Sequence, residues 1–134
     1  MLDKILCVDD DPITLMLCKK VIIKAAFSKE TDTAQNGEEA LKYFDKIKEN
    51  NIESQTIPQL IFLDLNMPVM GGWEFLDCFS TDTYIEFNQK TKIIVLSSTI
   101  DPEDLEKSKK YPMVIDFLPK PISISMLEGL SSKL

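Results

Sequence analysis

Short apolar runs recur along this chain, each ending in a polar or turn-forming residue and each followed by a longer segment with helical spacing. The runs are Lys4 to Val8 (KILCV), Glu30 to Ala34 (ETDTA), Leu60 to Leu63 (LIFL), Lys92 to Leu96 (KIIVL) and Val114 to Leu118 (VIDFL). All but the second are apolar nearly throughout, as strands covered on both faces are, and the second suits a sheet edge. Between the first two, Asp11 caps and Pro12 opens a helix that carries Leu17, Val21 and Ala25 on one face and ends near Phe27. Asn36 and Gly37 make a turn, after which Ala40, Leu41, Phe44 and Ile47 repeat at helical spacing across Glu38 to Lys48. Trp73 to Phe79 reads as a short helix with Trp73, Leu76 and Phe79 inward. Asp101 caps another, with Glu103 and Asp104 in its first turn and Lys107, Lys109 and Lys110 toward its far end. A last helix follows, with Ile124, Leu127, Leu130 and Leu134 on its apolar side. Glu49 to Pro58 has no periodicity and reads as a surface loop; the helical extent within Ser80 to Thr91 is left open by its polar composition.

Strands alternating with helices predict an α/β fold, a doubly wound, five-stranded parallel sheet with helices on both faces. At 134 residues the chain makes one such domain, residues 1–134, with no linker, repeat or low-complexity segment. The formal charge of -7 and the absence of any Lys/Arg cluster argue against nucleic-acid binding. No apolar run is long enough to span a membrane, and acids interrupt the amino terminus where a signal peptide needs a long apolar core, so the expected location is the cytoplasm. Cys7, Cys18 and Cys78 form neither a CxxC nor an even set, which argues against disulfides and zinc and makes each a small apolar residue. The chain has no histidine, so its chemistry falls to carboxylates, hydroxyls, lysine or a bound ion.

In a parallel sheet the residues just past the carboxyl ends of the strands converge on one edge, where α/β folds place their ligands. Here that edge receives Asp9 and Asp10 from the first strand, Asp64 from the third, Ser97 from the fourth and Lys120 from the fifth. Singly, an acidic pair before a helix is often a cap and a lysine between prolines a solvated turn; together they make a constellation. Crowded carboxylates favour a shared cation, and Mg²⁺ suits a few carboxylates, with the Asn66 carbonyl as a further oxygen. Asp64 can then attack a phosphoryl donor, while Lys120 neutralises a phosphate oxygen and the Ser97 hydroxyl donates to another.

The segments VDDDP (8–12), LDLNMPVMGG (63–72), IIVLSS (93–98) and FLPKP (117–121), in this order and spacing, make the chain resemble the receiver domains of two-component response regulators, of the stand-alone chemotaxis type. The resemblance covers nearly the whole chain. It implies a flavodoxin-like strand order 2-1-3-4-5, and Asp64 as phosphoacceptor. It also implies Asp9, Asp10, Asp64 and the Asn66 backbone carbonyl around Mg²⁺, with Asp10 the more direct ligand of the acidic pair. Lys120 becomes the phosphate-binding lysine, Ser97 the switch hydroxyl, Phe117 the switch aromatic, and Pro121 the follower of a cis bond. Many receivers carry Thr at the position of Ser97 and Tyr at that of Phe117.

The function expected is a phosphorylation-activated signalling switch. It takes its phosphoryl group from a sensor histidine kinase or a histidine phosphotransfer protein and signals to a downstream protein, with no output domain of its own. Such a chain promotes its own phosphorylation and slow hydrolysis rather than turning over a substrate. Asn66 and Thr99, two residues past Asp64 and Ser97, would tune the phosphate lifetime. An alternative is a haloacid-dehalogenase-like phosphatase with Asp9 as nucleophile, since Asp9 and Asp11 have its acid spacing; Ile13 ahead of Thr14 displaces the hydroxyl that family needs. A third reading is a binding module that kept the receiver fold and lost its chemistry, and a flavin-binding relative is disfavoured because no phosphate loop follows the first strand.

Overall fold

The computed structural model describes residues 1–50 and 57–134; most of the segment Glu49 to Pro58 expected as a loop lies outside the described residues. Five strands form one parallel sheet in the order β2-β1-β3-β4-β5: β1 Leu2–Val8, β2 Ser28–Ala34, β3 Leu60–Asp64, β4 Lys92–Ser97 and β5 Val114–Pro119. The helices are α1 Pro12–Lys24, α2 Gly37–Glu49, α3 Gly72–Phe79, a short α4 Ile85–Asn88, α5 Pro102–Ser108 and α6 Ile124–Leu130. This is the flavodoxin-like arrangement expected, with the least apolar strand at an edge.

Strand periodicity divides the core into two layers. On one face Ile5, Cys7, Phe62, Ile94 and Leu96 meet Leu15, Cys18 and Ile22 of α1 and Leu127 and Leu130 of α6. On the other, Leu6, Val8, Ile61, Leu63 and Ile93 meet Leu41, Phe44 and Ile47 of α2 and Phe75, Leu76 and Phe79 of α3. Phe44 lies against both Phe79 and Phe87, with ring centroids 4.9 and 5.1 Å apart. Each such fully buried side chain contributes roughly 1.5–3 kcal/mol.

Capping sets the helix starts. Asp11 accepts from the Ile13 amide at 3.0 Å and from the Thr14 hydroxyl at 3.1 Å, Asn36 from the Glu39 amide at 2.8 Å, and Asp101 from the Glu103 amide at 2.9 Å.

The structure corrects the expected faces of three helices. In α1 the buried residues are Leu15, Cys18 and Ile22, while Leu17 is 47% exposed. Apolar residues surround that helix, so periodicity alone does not choose its inner face. It also ends before Phe27, because Ala26 turns left-handed (φ 50) and the Phe27 amide folds back onto the Ile22 carbonyl at 3.1 Å. In α3, Phe75 is buried and Trp73 only half-buried; in α6, Ile124 is exposed and Leu134 lies beyond the helix. The polar stretch from Ser80 holds a 3-10 turn, Asp82–Tyr84, and α4, anchored by buried Tyr84 and Phe87.

Candidate functional site

Parallel register brings the site together. Val8 of β1 is level with Leu63 of β3, so Asp9 and Asp64 emerge side by side one residue later. Ser97 of β4 is level with Pro119 of β5, and the Lys120 amide donates to the Ser97 carbonyl at 2.9 Å, fixing the lysine just past the sheet. The Lys120 ammonium lies 2.7 Å from Asp9 and 3.2 Å from Asp64, bridging the first and third strands from the fifth. Asp10, exposed at the rim, offers a carboxylate oxygen within 4.8 Å of those of Asp9 and Asp64.

The β3–α3 loop is shaped by close approach. A Cβ at Gly72 would stand 2.7 Å from the Asp64 carbonyl and 2.9 Å from the Leu65 Cα, and the Gly72 amide donates to the Leu65 carbonyl at 3.0 Å. The glycine therefore lets the chain fold back onto the end of β3. Val69, at the loop tip, holds a left-handed φ of 69 and is 74% exposed, a strained conformation for a β-branched residue. The Met70 carbonyl accepts from the Gly37 amide at 2.8 Å, tying the loop to the start of α2.

Electrostatics follow from burial. Asp64 is 6% exposed, and burial pushes its carboxyl above the usual range; the Lys120 charge and the Asn66 amide pull it back, while Asp9 pushes it further. Burial alone would lower Lys120, but its hydrogen bond to Asp9 and the charges of Asp64 and Asp9 outweigh that and raise it. The lysine stays charged and Asp64 becomes more basic than an ordinary carboxylate, which favours it as a nucleophile. Three carboxylates facing one ammonium leave an excess of negative charge. With oxygen as the only donor type, this set fits a hard divalent cation such as Mg²⁺ and not a soft metal.

The remaining predicted residues are placed as follows. The Ser97 hydroxyl, 5% exposed, donates to the Thr99 carbonyl and accepts from the Thr99 amide at 3.3 Å, so it is engaged within its own loop. Asn66 and Thr99 are exposed. Phe117 is buried against Leu65 and Val95, with Trp73 packed on the same cluster. The Lys120–Pro121 bond is cis. Neither Trp73, read only as an inward helix position, nor Gly72 is among the expected site residues. The Gly-Gly-Trp sequence after the third strand was the available signal, a pair of glycines where the backbone doubles back and a large ring immediately after.

Fold and site together define an α/β domain with an acid-and-lysine edge suited to phosphoryl chemistry. The sequence profile of the response regulator receiver domain matches residues 5–130. This chain belongs to that family. It is 31% identical over 119 residues to a protein-glutamate methylesterase/protein-glutamine glutaminase of Archaeoglobus fulgidus, a match covering 88% of this chain and 30% of that protein. It is also 31% identical to hybrid signal transduction histidine kinase F of Dictyostelium discoideum, over 97% of this chain and 11% of the kinase. The chain thus spans less than a third of either relative. Among solved structures, a two-component response regulator from Cytophaga hutchinsonii superposes with a TM-score of 0.87 at 27% identity, covering 98% of this chain and 96% of that one. The chemotaxis response regulator CheY4 of Vibrio cholerae gives 0.74 at 26% identity, covering 99% and 98%. Nothing in these comparisons favours the phosphatase alternative. Among the described residues no helix is long and apolar enough to cross a membrane.

Proposed function

We propose that Asp64 is the phosphoacceptor of this receiver. One observation carries the reading: a buried, unusually basic carboxylate at the end of the central strand, bridged by Lys120 to Asp9 at 3.2 and 2.7 Å, with Asp10 converging on the same point. An Asp64 oxygen attacks the phosphorus of a phosphohistidine, the P–N bond breaks, and the imidazole nitrogen leaves with the bonding pair. Lys120 neutralises a phosphoryl oxygen. Asp9, Asp10, Asp64 and the Asn66 carbonyl would hold Mg²⁺, which when bound withdraws charge from the transferring phosphoryl group.

The switch runs through Ser97. Its hydroxyl must leave the Thr99 backbone to donate to the phosphoryl group, which moves the β4–α5 loop. Phe117 is buried against Leu65 and Val95, and the movement of Ser97 vacates space into which this ring rotates. The affected surface is α5, β5 and α6. No side chain of α5 is buried, and Lys107 holds it to α3 by lying 4.7 Å from the Trp73 ring centroid. Asn66 and Thr99, at the exposed mouth, set the hydrolysis rate by controlling water's approach.

The donor is a histidine kinase or phosphotransfer protein of the cytoplasm. It docks on the large apolar side chains exposed beside the acids, Ile13, Met16 and Leu17 of α1 and Val69 of the loop. We read residues 1–134 as one receiver domain whose output is contact with a downstream protein. Beryllofluoride with Mg²⁺, titrated while Trp73 fluorescence is followed, tests the site: the native chain responds and Asp64→Asn does not. An equal response from both would overturn it.

A further inference from the structure

We propose that Cys7 and Cys18 are a modification site, a dithiol that hydrogen peroxide converts to an intramolecular disulfide closing the loop that carries the acidic pair. Cys7 lies on β1 and Cys18 on the buried face of α1, with their sulfurs 3.6 Å apart and the Cys7 S–H donating to the Cys18 sulfur. A disulfide needs about 2.05 Å, so a sulfur-to-sulfur approach of about 1.5 Å joins them. Cys78 packs on the opposite face of the sheet, which leaves Cys7 and Cys18 as the pair within bonding reach.

Access comes through Cys18. It lines a cavity of about 200 Å³ walled by Thr14, Leu17, Leu96, Ile122 and Lys120. A water molecule fills about 30 Å³, so the cavity admits peroxide while a peptide-sized disulfide exceeds it. The Cys18 sulfur attacks one peroxide oxygen as the O–O bond breaks; the departing hydroxide takes the proton that the thiol gives up and leaves as water, giving a sulfenic acid on Cys18. The Cys7 sulfur then displaces the remaining oxygen, its proton going to that oxygen to form a second water. Peroxide is reduced and both thiols are oxidised, with no other co-reactant.

The new bond encloses Asp9, Asp10 and Asp11 and pulls α1 toward β1, so it resets the spacing of Asp9 and Asp10 relative to Asp64. That consequence rests on the metal role proposed above, whereas the disulfide does not. The test treats the reduced full chain with hydrogen peroxide. Titratable thiols fall from three to one, a peptide map joins Cys7 to Cys18, and dithiothreitol reverses both. Cys78→Ser loses both remaining thiols and forms no disulfide-linked dimer, and Cys18→Ala keeps its two. An unchanged thiol count, a Cys78-linked dimer, or Cys18 oxidised to a sulfinic acid with Cys7 free would overturn the site. Calorimetric Mg²⁺ titration of the two redox forms should differ about tenfold in affinity. Equal affinities would overturn the coupling to the acids. A reduced form that binds no Mg²⁺ would instead count against the metal role, with the thiol count still deciding the disulfide.

Discussion

Replacing Lys120 with methionine keeps an apolar stem in place and removes the charge that two buried carboxylates share. Asp9 and Asp64 have side chains only 6% and 8% exposed, and the ammonium stands 2.7 and 3.2 Å from them. Truncating one partner of a buried ion pair costs about 3–5 kcal/mol. The Lys120 side chain is itself 20% exposed, so water reaches the site and the low end, about 3 kcal/mol, is expected. That is a large part of the roughly 5–15 kcal/mol that holds a domain of this size together. Mg²⁺ changes the comparison. In the native chain a dication must share its carboxylate oxygens with the ammonium; in Lys120→Met it has them alone and binds more tightly. Mg²⁺ stabilises both proteins, so the gap narrows by the ratio of their dissociation constants, and a hundredfold tighter site in Lys120→Met would close about 2.7 kcal/mol of it. Urea unfolding followed by circular dichroism, first with EDTA and then across a Mg²⁺ titration, measures both. Equal stability in EDTA, or a gap that Mg²⁺ leaves untouched, would refute the electrostatic reasoning.

Asp64→Asn should stabilise the metal-free protein. Burial raises the Asp64 carboxyl in the fold, so its ionised form opposes folding at neutral pH. The gain, read from unfolding midpoints, should fade as pH falls and the native carboxyl protonates. Gly72→Ala drives a methyl to within 2.7 Å of the Asp64 carbonyl, and urea denaturation should show a loss of about 1–3 kcal/mol; a neutral result would mean the loop yields freely. Phe75→Ala, at a fully buried ring stacked on Phe79, should cost about 3–5 kcal/mol by the same assay. Burial, then the hydrogen bond to Asp77, pushes the Tyr111 phenol up from 10.0 to about 12. Its stabilisation is complete below pH 10 and is lost as pH rises through about 12, so Tyr111→Phe should flatten the alkaline decline; an unchanged slope would contradict this.

The sheet was legible because four of its five strands are short apolar runs cut off by a turn residue and the polar fifth, β2, suits an edge, and parallel pairing then forces the ends of β1, β3, β4 and β5 onto one edge. The site followed from that convergence, since Asp9, Asp64 and Lys120 each stand one residue past a strand or at its last position. The inner face of α1 was not legible: Leu15 and Leu17 are chemically alike, and only packing into the core layer that holds Ile5, Cys7 and Phe62 selects Leu15. Nor were the surroundings of Ser97 and Phe117: the Ser97 hydroxyl turns back onto the Thr99 backbone within its own loop, and Phe117 is buried among Leu65, Val95 and Trp73, which no local spacing brings together.

Incubating the chain with a small-molecule phosphoryl donor and Mg²⁺, then trapping the acyl phosphate with borohydride and mapping the reduced residue by mass spectrometry, locates the modified side chain. A single modification is expected at Asp64, absent in Asp64→Asn and suppressed by EDTA. Trapping at Asp9, or undiminished trapping in Asp64→Asn, would contradict it.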